Sequence, residues 1–168
     1  MLKQVFEILT TTPDKLRREI LTMSPREMQT RPATHKWSVR EVLAHLDDLE
    51  EIAMRARVAA MLEQDKPQLF SFDHLARAKE LGYGARDARK SLASLARQRE
   101  ANLRFLRKIR PSQMKRSGVH PKVGEITVGE LITEWAFHDL GHLKQILEIK
   151  RYALYPGIGN MQAFYQLS

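Results

Sequence analysis

Residues Glu134 to Ile146 read EWAFHDLGHLKQI. The stretch has helical character, and it sets His138 and His142 four residues apart. At about 100° per residue, Leu131, Trp135, His138, His142, Ile146 and Ile149 fall within roughly a quarter turn of one another. Both histidines therefore lie on the stripe that should pack into a core. Two readings follow from the pattern. Either the imidazoles are core groups satisfied by hydrogen bonds, or they present nitrogens to one ion, as two His at i and i+4 can do.

Working outward, four long segments carry helical periodicity, separated by turn signals. The first runs from about Leu2 to Met23, with Val5, Phe6, Leu9, Leu16 and Ile20 as apolar markers and Thr12-Pro13 as a potential interruption. The second starts at a capping box, Ser38 with Glu41, and continues to about Glu63. The third spans about Ala85 to Ile109, stopping before Pro111. The fourth follows a second capping box, Thr127 with Glu130, and runs to about Lys150. A segment around Phe72 to Lys79 has room for a short helix. GVHPKVGEI, at 118–126, is too rich in Gly and Pro to be helical, and no segment shows a strand pattern. The aromatic tail from Tyr152 is expected to dock on apolar surface. These features predict an all-α four-helix bundle with long inter-helix links, in one domain over residues 1–168, with room for a non-sequential helix order.

Composition narrows the chemistry. The chain has 168 residues and no cysteine, which excludes thiolate metal sites and a disulfide framework. The N-terminus lacks the apolar core and cleavage site of a signal peptide, and no window has the ~20 apolar residues of a membrane span. A cytoplasmic protein without a membrane segment is expected. The net charge is +8, and its source is local. Between Arg86 and Arg116 there are eleven Lys and Arg against Asp87 and Glu100. Such a run can attract anions, but without interleaved aromatics it reads as a solvated helix face, and a nucleic-acid partner is not expected.

On the second helix Val42, Leu46, Leu49 and Ala53 define the apolar face, and His45 lies at its edge. A histidine there, facing the pair on the last helix, completes a three-nitrogen set that leaves coordination positions open. Imidazole suits Zn, Ni, Cu and Fe, and no dense carboxylate cluster argues for Ca or Mg. Arg99 projects from the apolar face of the third helix and needs a partner, since an unpaired buried guanidinium is costly. A substrate carboxylate, Glu134, or snorkelling to water would each serve. Asp48 and Asp139 are candidate acceptors for ligand-histidine N–H groups, although Asp139 points off the His stripe and reads as a surface residue. Gln145 lies beside the stripe and can orient a ligand. His120, in the His-Pro turn before the last helix, either approaches the pocket or shapes the turn. His35 and His74 carry no spacing signal.

Three motifs, W-S-x-x-E-x-x-x-H at 37–45, H-P-x-x-G-x-x-T at 120–127 and H-D-x-x-H-x-x-Q at 138–145, resemble the DinB/YfiT-like superfamily of bacterial four-helix metalloproteins. The resemblance extends from the first helix to about Arg151. It implies one divalent metal of the Zn, Ni or Fe class on His45, His138 and His142, and it makes a homodimer plausible. It also implies a metal-dependent enzyme that activates a low-molecular-weight thiol or water against a small electrophilic substrate, by S-transfer or isomerisation. The alternative is a non-catalytic metal- or ligand-binding stress-response bundle.

Overall fold

A computed structural model describes residues 2–167. Helix α1 (Leu2–Ile20) is followed by a single turn, α2 (Pro25–Gln29). Then come α3 (Val39–Leu49), a π-helical stretch (Glu50–Arg55) and α4 (Ala56–Glu63), which together form one long rod. The short α5 (His74–Glu80) precedes α6 (Ala88–Leu106), a hairpin of β1 (Ser117–His120) and β2 (Gly124–Thr127), and α7 (Val128–Leu154). Both expected capping boxes form. Glu41 accepts from the Ser38 N–H at 2.9 Å, and Glu130 accepts from the Thr127 N–H at 2.7 Å. Each satisfies donors that a helix start would leave unpaired.

The four long rods form a bundle of non-sequential order. Helix α1 packs against α6 and α7, and the α3–α4 rod also packs against α6 and α7. The first and second rods thus face each other across the bundle diagonal, as do the third and fourth, so those two connections cannot be short hairpins. Among the described residues no helix is long and apolar enough to cross a membrane.

Three sequence-based expectations change. The segment after Pro111 contains strands: β1 and β2 pair antiparallel, Ser117 opposite Thr127 and His120 opposite Gly124. Gly124 closes their turn at φ 81°, a region that favours glycine. Four-residue strands show no readable alternation, and this hairpin leans on tertiary contacts. The Leu69 N–H donates to the Val119 carbonyl and the Val119 N–H to the Pro67 carbonyl, both at 2.8 Å. Only the start of the tail is sheltered: Tyr152 and Tyr155 are half-buried, whereas Met161, Phe164 and Tyr165 are exposed. Lastly, Pro13 sits inside an unbroken α1.

The reason α1 survives lies in the core. Buried apolar residues form two clusters. One is built around Leu9, Met54, Leu103 and Trp135, the other around Leu16, Leu43, Leu95 and Ile146. Between them runs a buried polar layer centred on Arg99. Its Nε and Nη2 donate to the two Glu50 oxygens at 2.7 and 2.9 Å. Nη1 and Nη2 donate to the two Asp139 oxygens at 2.6 and 3.0 Å, and Nη1 also donates to the Leu9 carbonyl at 2.9 Å. A guanidinium has five N–H donors, and all five are used. Leu9 is four residues before Pro13, so its carbonyl is the one the proline ring leaves without a helical N–H. Arg99 fills that vacancy. The partners anticipated for Arg99, Glu134 or a substrate acid, are thus replaced by Glu50 and Asp139. Asp139 is fully buried rather than a surface residue.

Removing Arg99 would strand two buried carboxylates. Arg99→Met should lower the unfolding free energy by about 3–5 kcal/mol. Arg104→Met, which breaks an exposed pair with Glu100, should cost about 0.5 kcal/mol or less. Urea titrations followed by circular dichroism check this, and equal effects would contradict the layer.

Candidate metal centre

The centre is assembled from two rods. Helix α3 supplies His45 and α7 supplies His138 and His142, one turn apart. His138 Nε2 lies 3.3 Å from His45 Nε2 and 3.2 Å from His142 Nε2. The three ligand atoms all fall within 4.8 Å of one another. Zinc ligated at 2.0–2.1 Å in tetrahedral geometry separates neighbouring nitrogens by about 3.3–3.4 Å. The two shorter separations match that edge.

The protonation pattern also fits a cation. His142 Nδ1 lies 2.8 Å from Gln145 Oε1, an acceptor, so Nδ1 carries the proton and Nε2 presents a lone pair. Burial holds His45 down to about 2 and His138 down to about 3, with neighbouring histidines adding to the effect. His142 is lowered by the same burial, against the opposing Gln145 contact. Three uncharged imidazoles are therefore gathered here, with the Nε2 atoms of His45 and His142 each within 3.3 Å of His138 Nε2. One N–H among them cannot satisfy every lone pair, whereas one cation can, and neutral imidazole is the ligating form.

The remaining sequence candidates divide. Gln145 touches His142 as anticipated. Asp48 does not reach a ligand histidine. It accepts from Arg77 Nη2 at 2.9 Å and from the Tyr83 hydroxyl at 2.6 Å. Its contribution is indirect, because Tyr83 and Trp37 pack near His45, with Trp37 edge-on at 4.9 Å between ring centroids. Arg99 is consumed in the polar layer. Glu134 and His120 both line a cavity of about 560 Å³ that opens from the triad. Its walls are largely apolar, with Leu49, Ala53, Met54, Leu131 and Ile126, and its rim carries Arg57, His74, His120, Lys122 and Glu134.

Two of these residues escape the sequence reading. His74 opens α5 behind its Asp73 cap, and its ring lies 5.5 Å from that of His45. No spacing signal places a residue from a separate short helix. Arg57 was findable. It follows Ala53 by four residues, so the wheel that turns Ala53 inward turns Arg57 the same way.

A bundle of four helices with diagonal connection order, holding three convergent histidines at the base of a cavity, defines a class of metal-binding fold. The chain belongs to the DinB superfamily, whose sequence profile matches residues 8–146. It is 26% identical over 138 residues to a protein of Oceanobacillus iheyensis named "Putative metal-dependent hydrolase", covering 82% of this chain and 78% of that one. It is 26% identical over 146 residues to Bacillus subtilis YfiT, which carries the same name, covering 86% and 82%. The solved structure of YfiT superposes with a TM-score of 0.82 at 25% identity, over 89% of this chain and 85% of that one. YfiT is described there as "a probable metal-dependent hydrolase with an unusual four-helix bundle topology".

The depressed histidines set a pH dependence for the metal-free protein. Unfolded, His45 and His138 titrate near 6.5, whereas folded they resist protonation down to about 3 and below. Below about pH 6.5 the unfolded chain thus binds protons that the folded chain refuses, and stability falls as pH falls. The urea midpoint of metal-free protein should drop between pH 7.5 and 5.5, and His45→Gln should flatten that slope. A midpoint independent of pH in this window would contradict imidazoles held neutral by desolvation.

Proposed function

We propose that the chain is a metal-dependent enzyme that activates water or a low-molecular-weight thiol against a small electrophilic substrate bound in the cavity. One observation carries this reading: three Nε2 atoms converge at the base of an open, apolar-walled cavity, so a three-ligand ion would keep positions free on the cavity side. His45, His138 and His142 would hold one divalent ion of the Zn, Ni or Fe class. Bound there, the ion would supply Lewis-acid chemistry that ionises the nucleophile at neutral pH.

The protein's own groups complete the site. Gln145 fixes the His142 ring and its tautomer. Glu134 stands one helical turn before His138 on the cavity side of α7, and desolvation raises its affinity for a proton. In this reading Glu134 accepts the proton that the nucleophile loses. Leu49, Met54 and Leu131 exclude bulk water beside the reacting groups. The relatives' names support water as nucleophile, whereas the family resemblance supports a thiol. A cytoplasmic homodimer is part of the proposal. Its support is the exposed row Leu140, Leu147 and Leu154, spaced by sevens on the outer face of α7. A monomer mass by light scattering would remove the dimer.

The test uses untagged protein reconstituted with zinc or nickel and assayed on two panels, activated esters and thiol-plus-electrophile pairs. One ion per chain is expected, with turnover on one panel and loss of both ion and turnover in His138→Ala. Glu134→Gln should keep the ion and lose roughly 10²–10⁴-fold in turnover. Unchanged turnover in that variant would remove Glu134 from the mechanism. Full loading without turnover on either panel would favour the non-catalytic bundle.

A further inference from the structure

The cavity rim carries a cationic pair that neither the polar layer nor the triad uses. Arg57 projects from α4 into the cavity and is partly buried there. Its Nε and Nη2 donate to a single acceptor, the Phe70 carbonyl, at 3.0 and 2.8 Å. That contact fixes the guanidinium by one edge. The two Nη1 hydrogens and the second Nη2 hydrogen are not used by any partner among the described residues. Lys122, in the hairpin turn, lines the same cavity, and neither cation forms an ion pair among the described residues. Glu134 shares the cavity and attracts Arg57 over a longer range, without closing to an ion pair.

A guanidinium held by one edge presents its other edge as a rigid fork, the geometry that takes two oxygens of a carboxylate or phosphate. Partial burial makes such a charge costly to leave without an anion. Arg99 offers a contrast within the same protein, since it is deeper in the fold and spends all five donors on protein acceptors. Building on the metal-dependent reading above, we propose that the cavity selects substrates bearing an oxyanion handle, a carboxylate or a phosphate monoester. In this arrangement Arg57 grips the handle with its free Nη1/Nη2 edge and Lys122 adds a second charge at the rim. The apolar walls take the body of the molecule and the histidine end receives its reactive centre. Arg57 is then a specificity-determining residue for the site.

The probes are benzoate, phenyl phosphate and the uncharged benzamide, titrated calorimetrically into both metal-free and zinc-reconstituted protein. The metal-free arm separates the handle from coordination by an ion, so a failure of the metal site would leave this test standing. Expected is binding of at least one anion but not of benzamide in both arms, and the preferred anion distinguishes carboxylate from phosphate handles. Arg57→Gln should weaken that binding about tenfold or more, as loss of charge-assisted hydrogen bonds does. Its zinc content should remain that of the parent. Arg57→Lys keeps the charge without the fork and should also weaken binding, which carries the test if the Gln variant does not fold. Lys122→Gln should produce a smaller loss. Benzamide binding as tightly as benzoate and phenyl phosphate would overturn the proposal. So would affinities unaltered in both Arg57 variants, or anion binding seen only with zinc and abolished by His138→Ala. In those cases Arg57 is a strap for the Phe70 segment only.

Discussion

The Arg99 guanidinium is the joint on which the bundle turns. It comes from α6 and binds Glu50 at the end of α3, Asp139 on α7 and the Leu9 carbonyl of α1, so one side chain ties all four rods together. Two further donors complete Glu50: Asn102 Nδ2 at 3.1 Å and Trp135 Nε1 at 3.2 Å. A buried charge group of this kind is a poor source of net stability, but it penalises any packing that leaves a member unpaired. Pro13 belongs to the same device, because it frees the one helical carbonyl that the arginine requires.

This joint also orients the candidate centre. Asp139 is fixed toward Arg99, and its neighbour His138 is then rotated by about 100° around α7, toward the α3–α4 rod and His45. His142 follows one turn later on the same line. The polar layer acts on the rings in opposing senses: Asp139 favours positive charge at His142, and Arg99 disfavours it at His138. The bundle thus supplies the triad together with Arg57 and Glu134, while Ser71, His74, His120 and Lys122 reach the cavity from segments outside the four rods. Such segments can vary without disturbing the core, which is how one scaffold serves different substrates.

Much of this was legible in the residues. Four amphipathic runs and two capping boxes locate the rods, and i, i+4 spacing puts His138 and His142 on one face. The expectation failed at Asp139 because α7 is covered on more than one side, by α1 as well as by the α3–α4 rod. A residue off the histidine stripe is therefore still inside. Glu50 was hidden for a simpler reason: it follows Leu46 by one regular turn but sits at the margin of the apolar stripe, where a lone carboxylate reads as solvent-facing. The hairpin was invisible for a different reason. Its strands are too short to show alternation, and they are held by backbone bonds to 67–69, a partner that no local pattern reveals.

The most direct test of the account is a zinc K-edge absorption measurement on the untagged, zinc-reconstituted protein, paired with anomalous diffraction from the same preparation. The account predicts a single ion with three imidazole nitrogens at about 2.0–2.1 Å, placed among the Nε2 atoms of His45, His138 and His142. An ion bound elsewhere, or one lacking any of these three nitrogens, would contradict it.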